Sequence, residues 1–137
     1  MLEKIDHLGY AVENVEAASR FYKASFGVEP GEPETVEEQG IVAVMFRVGD
    51  SRIELLQPTR PDSPVGKFLA RRGEGFHHVA FEVDDIEMAL AELKRRGVEL
   101  VDAEPKPGAG GTRTAFVHPK GVFGVLTELV ELPHTGL

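Results

Sequence analysis

A chain of 137 residues is the size of one domain or of two small fused modules. Its net charge of −8 argues against general nucleic-acid binding, and without cysteine it has neither disulfides nor thiolate metal sites. No run approaches the roughly 18 apolar residues of a membrane helix, and the opening "MLEKIDHLGY" lacks the basic-then-apolar order of a signal peptide, so no membrane partner and a cytoplasmic location are expected.

The first element is the strand-like run "IDHLGYAV" (5–12). Asn14 then suits a helix N-cap, with apolar positions at 15, 18, 21 or 22, and 25 or 26, and a stop at Gly27. "IVAVMFRV" (41–48) turns at Gly49-Asp50, and "RIELLQP" (52–58) returns with Glu54 amid apolar residues. The stretch "TRPDSPVGKFLARRGEG" (59–75) reads as a turn and a short helix capped by Ser63, with Pro64 at its first position. Its cations Arg60, Lys67, Arg71 and Arg72 form either a solvated face or a meeting place for an anionic group.

The next strand-like run, "FHHVAFEV" (76–83), carries His77 and His78 side by side near its start, so the two point to opposite faces. Asp85 suits the next N-cap, before apolar positions at 86, 89, 90 and 93 and a stop at Gly97. "EPKPGAGGTR" (104–113) is either a flexible hairpin lead-in or a loop whose backbone N–H groups, around Gly110, Gly111 and Thr112, approach a carboxylate or phosphate. It lacks P-loop spacing. "RTAFVHP" (113–119) and "VLTELVE" (125–131) form the last hairpin, the final strand carrying Glu128.

The elements repeat. Shifted by 71 residues, "IDHLGYAVENVEAA" lies over "FHHVAFEVDDIEMA", setting His7 on His78, the inward residue, and leaving His77 outward. The His-to-Glu separation is 47 residues in the first half and 50 in the second, as a longer second hairpin would produce. The expected fold is α+β: two tandem βαβββ modules, 1–58 and 76–137, joined by a linker, 59–75, within a single domain, 1–137, their mixed sheets closing around a shared cleft.

His7, Glu54, His78 and Glu128, matched in pairs across the repeat, make an N2O2 donor set for a divalent metal. Imidazole suits zinc, nickel, cobalt or iron, and carboxylate broadens this to manganese or magnesium. A carboxylate among apolar strand residues is costly unless paired or bound to a cation. His118 and His134 have no repeat partner and read as structural, and Asp84 and Asp85 as capping.

The pieces "IDHLGYAV", "EEQG", "IELLQP", "DSPVGKFLARRGEGFHHVAF", "VDAEPKPGAGGTRTAFVHPKG" and "GVLTELVE" resemble the vicinal oxygen chelate superfamily, and within it the methylmalonyl-CoA epimerase family. "HPK" followed by "GVLTEL" separates the chain from bacterial-type glyoxalases, which usually have "DP-D-G" there. The resemblance implies one divalent ion (cobalt, nickel, manganese, zinc or magnesium) on His7, Glu54, His78 and Glu128, with Gln at the second position in some members. It implies an isomerase that interconverts the R and S forms of methylmalonyl-CoA through an enolate, with Glu128 as an acid/base group, and a homodimeric assembly. The CoA phosphates would meet Arg60, Lys67, Arg71 or Arg72. A glutamate that some members carry three residues after "QG", proposed as a second base, is Ala43 here, and nothing in the sequence brings the nearby Glu37 and Glu38 to the cleft. Alternatives are a glyoxalase I-type lyase acting on a thiol adduct of methylglyoxal and a non-enzymatic binding module. An extradiol-type dioxygenase needs two His and one Glu around iron, and the fourth ligand disfavours it.

Overall fold

The computed structural model describes residues 1–134. The chain forms two compact units, His7–His77 and, grouped together, Met1–Asp6 with the residues from His78 onward. Among the described residues no helix is long and apolar enough to cross a membrane.

The first unit holds the second half of β1 (Leu2–Ala11), then α1 (Val15–Phe26), β2 (Glu34–Val36), β3 (Ile41–Val48), β4 (Ser51–Pro58) and α2 (Pro64–Arg72). Its strands run in the order β2-β3-β4-β1, with β1 parallel to β4 and the other pairs antiparallel. Asn14 starts α1 by accepting the Ala17 N–H at 2.9 Å, and Gly27 ends it at φ 71°, a left-handed conformation open to glycine. One sheet face buries Val44, Phe46 and Leu55 with Val15 of α1, and Tyr10, Tyr22 and Ile53 border this core. Alternation puts His7, Gly9, Ala43, Met45, Glu54 and Leu56 on the other face, because Gly9, Glu54 and Met45 are direct neighbours across three strands. The structure decides between residues 21 and 22. Tyr22 lies 5.2 Å, ring to ring, from Phe46, whereas Phe21 and Phe26 remain exposed, so the last turn of α1 leaves its apolar side open.

The short helix α2 belongs to this unit and contacts β4. Ser63 is fully buried. Its hydroxyl donates to the Arg60 carbonyl at 2.9 Å and accepts the Gly66 N–H at 3.1 Å, which sets where the helix begins. Gly66 is required for close approach, since a Cβ there would lie 2.6 Å from the Pro61 carbonyl oxygen. Val65 and Leu69 are the buried apolar residues of the helix.

The second unit holds most of β5 (Gly75–Val83), then α3 (Ile86–Arg95), β6 (Lys106–Pro107), β7 (Arg113–Val117) and β8 (Thr127–Glu131), with strand order β5-β8-β7-β6. The plan repeats: β5 is parallel to β8, and α3 covers one face through Ile86, Ala89 and Leu90 against Val83, Ala115, Val117 and Leu129. The three extra residues of the second half all lie in its last hairpin. Ala43 and Thr114 keep the 71-residue offset, but their cross-strand partners Leu56 and Val130 are offset by 74. The first hairpin closes on Gly49 and Asp50 alone, with Gly49 at φ 62°, while the second takes a 3-10 turn over Pro119–Val122.

One device ties helix to sheet in both units. Gln57 accepts the Val15 N–H at 2.8 Å at the start of α1, and Glu131 accepts the Ile86 N–H at 3.0 Å at the start of α3. Each satisfies a donor that the helix itself leaves unpaired.

Candidate functional site

His7 sits on β1 and Glu54 on the parallel neighbour β4. The His7 Nε2 is 3.2 Å from the Glu54 Oε1, and both side chains are less than a tenth exposed. In the second unit His78 on β5 and Glu128 on β8 repeat the arrangement, with Nε2 to Oε1 again 3.2 Å and both side chains almost completely buried. The repeat produces this because in each parallel pair the residue two after the histidine is the direct neighbour of the glutamate: Gly9 beside Glu54, Ala80 beside Glu128. Neither neighbour carries more than a methyl group, so space is left on the ligand face beside each carboxylate. Each unit therefore presents one imidazole nitrogen and one carboxylate oxygen, and His7, Glu54 and His78 are all buried residues of metal-ligating type. Burying a carboxylate this way is tolerable only with a partner or a cation.

The surroundings show residues that periodicity did not flag. Phe116, the β7 neighbour of Glu128, meets the His78 ring edge-to-face at 5.3 Å and fixes its orientation. Phe116 is itself held by Asp102, a buried carboxylate that accepts the Phe116 N–H at 2.9 Å and pairs with Lys106 at 2.8 Å. Asp102 had no distinguishing signal in the sequence, because Glu99 and Glu104 flank it before the glycine-rich run. His77 points away from the His78 face, yet it is buried, its ring 4.9 Å from Phe68 of α2.

The remaining predicted residues are placed as follows. Arg60 pairs with Asp62 at 3.2 Å. The Arg72 guanidinium lies 5.9 Å from the Phe68 ring centre, a cation–π distance. Lys67 and Arg71, one helical turn apart, are exposed. Gly110 and Gly111 have φ of 70° and 73°, and Thr112 closes the turn by donating its hydroxyl to the Ala109 carbonyl at 2.8 Å. The loop is thus a defined turn of left-handed glycines. His118 accepts the Lys120 N–H through Nδ1, as a structural cap does, and Asp85 caps α3. Glu37 and Glu38 are exposed in a 3-10 turn.

These pairs sit in a chain whose residues 6–116 match the family model of the Glyoxalase/Bleomycin resistance protein/Dioxygenase superfamily. The chain belongs to that superfamily. It is 40% identical over 129 residues to the mitochondrial methylmalonyl-CoA epimerase of Bos taurus, covering 93% of this chain and 74% of the relative. It is 35% identical to the ethylmalonyl-CoA/methylmalonyl-CoA epimerase of Cereibacter sphaeroides, covering 96% of this chain and 100% of the relative. A methylmalonyl-CoA epimerase solved with methylmalonyl-CoA and NH4+ superposes at a TM-score of 0.91 with 43% identity, covering 96% of both chains. A variant of the Streptomyces coelicolor methylmalonyl-CoA epimerase bound to 2-nitronate-propionyl-CoA superposes at 0.93 with 42% identity, covering 98% of this chain and 100% of that one. The fold is that of the vicinal oxygen chelate superfamily, and the family is that of the methylmalonyl-CoA epimerases.

Proposed function

We propose that this protein is an isomerase that interconverts the R and S forms of methylmalonyl-CoA. The observation that carries the reading is a buried His–Glu pair in each unit of a chain similar over nearly its whole length to named epimerases. The whole chain acts as one functional domain. His7, Glu54, His78 and Glu128 together hold one divalent ion, which is cobalt, nickel, manganese, zinc or magnesium. The donor chemistry supports this: two neutral imidazoles and two carboxylates suit any of these ions and balance a double positive charge. When bound, such an ion supplies Lewis-acid stabilisation of negative charge developing on an oxygen.

The reaction breaks the C–H bond at the carbon between carboxylate and thioester. The proton passes to a carboxylate of the protein, and the electron pair delocalises toward the thioester carbonyl. Return of a proton to the opposite face completes the inversion. Glu128 is one of these proton-transfer groups, its side chain set by the His78 contact and the Phe116 neighbour. The CoA phosphates meet Arg60, Lys67, Arg71 or Arg72, and the turn at Gly110, Gly111 and Thr112 offers backbone donors to an anionic group of the substrate. The reading includes a homodimer working in the cytoplasm. The exposed Phe21 and Phe26 support self-association.

The deciding experiment is to assay the purified protein with methylmalonyl-CoA and with a methylglyoxal–thiol adduct, alongside metal analysis and light scattering of the same sample. Turnover of the CoA thioester with about one metal per chain is expected. Turnover of the thiol adduct alone would make the protein a glyoxalase, and absence of both activities and of metal would make it a binding module.

A further inference from the structure

Inversion at carbon removes a proton from one face and delivers one to the other, and in the proposed reaction Glu128 serves one of these transfers. The register of the first unit identifies a partner for it. Three rows of side chains share the face that carries His7 and Glu54. Gly9, Glu54 and Met45 make the first, Ala11, Leu56, Ala43 and Glu34 the second, and Pro58, Ile41 and Val36 the third. Within these rows Glu34 is the one carboxylate besides Glu54. It lies directly opposite Ala43 in an antiparallel pair, where facing Cβ atoms are about 5 Å apart. Ala43 is buried and carries only a methyl group, so the β3 position beside Glu34 leaves its longer chain room to lean across the sheet. Strand spacing and rise put the Glu34 and Glu54 backbones roughly 12 Å apart on one face, a separation that a small substrate and two glutamate side chains can span. Val36 and Ile41 are buried in the next row, whereas Glu34 itself is exposed on the edge strand β2, beside the row that ends at Ala43.

In the second unit the matching row carries Glu82, Val130, Thr114 and Lys106. There Glu82 lines a surface groove with Glu3, Asp84 and His134, and Lys106 is paired with Asp102.

We infer that Glu34 is the second proton-transfer group of the inversion, the counterpart of Glu128. This rests on the epimerase reading. The test compares wild type, Glu34→Gln, Ala43→Glu and the double variant Glu34→Gln/Ala43→Glu in deuterated water, with each epimer supplied separately. Thermal stability, metal content and the binding of a non-reacting CoA-thioester analogue are measured on every sample.

Glu34→Gln is expected to lower kcat about 100-fold, the size usual for one acid/base group, with KM, metal content and analogue affinity within twofold of wild type. The surviving group should still exchange the α-hydrogen of one epimer and return deuterium to the same face, so that epimer becomes labelled without inverting while the other stays unlabelled. The double variant should recover at least tenfold in kcat, because Ala43→Glu restores a carboxylate to the same row of the same face. Wild-type turnover with a Glu34→Gln variant that still labels and inverts both epimers would overturn the inference and leave the epimerase reading standing. So would a kcat loss that the double variant does not recover. A wild-type protein that fails to turn over methylmalonyl-CoA would overturn the epimerase reading, and the inference with it.

Discussion

Two adjacent histidines in this chain have different work. His78 meets Glu128 at 3.2 Å on the ligand face, whereas His77 turns to the other side and packs on Phe68 at 4.9 Å. Substitution should separate them. His78→Ala removes a proposed ligand and should lower bound metal at least tenfold. His77→Ala should keep its metal and lose about 1–2 kcal/mol of stability, because a buried ring contact is exchanged for a small void. Metal analysis and a denaturant melt of both variants read the two effects. Equal metal loss in both, or in neither, would refute the assignment of faces.

At the scale of elements, α2 is the instructive one. Its buried side is set by Ser63, Val65, Gly66 and Leu69, and its exposed cations are Lys67, Arg71 and Arg72. Arg72 also lies over Phe68, the residue that covers His77, so one end of this helix is tied to the strand that carries the second histidine. If the exposed cations meet the CoA phosphates, neutralising all three should raise KM several-fold, most strongly at low salt, and leave kcat nearly unchanged. Steady-state kinetics at two ionic strengths measure this. A triple variant with wild-type KM at low salt would remove the helix from the CoA site.

For the whole molecule, binding of the proposed ion to His7, Glu54, His78 and Glu128 should stabilise the folded chain. At a free metal concentration 100 times Kd the gain is about 2.7 kcal/mol, which raises Tm by on the order of 10 °C for a chain of this size. Thermal melts with and without chelator test it. A shift of the same size in a His7→Ala/His78→Ala double variant would show that the metal acts elsewhere.

Much of this plan was legible from local signals. The helix starts at Asn14, Ser63 and Asp85 are local: each side chain accepts the N–H of a residue three positions on. The approach of His7 to Glu54 and of His78 to Glu128 was legible too, because a period of two and a repeat of 71 residues assign faces without any knowledge of the fold. Tertiary structure alone decided the rest. The strands β2 and β6, three and two residues long, have no period to read and exist only through their pairing with β3 and β7. The same pairing sets Glu34 opposite Ala43. The choice of Tyr22 over Phe21 depends on where Phe46 lies, and the burial of His77 depends on a helix that the linker folds back over it. Asp102 found Lys106 and the Phe116 N–H only once the strands were in register. Such contacts join residues whose separation along the chain carries no periodic signal, so the free energy of burial and pairing in the folded sheet selects them.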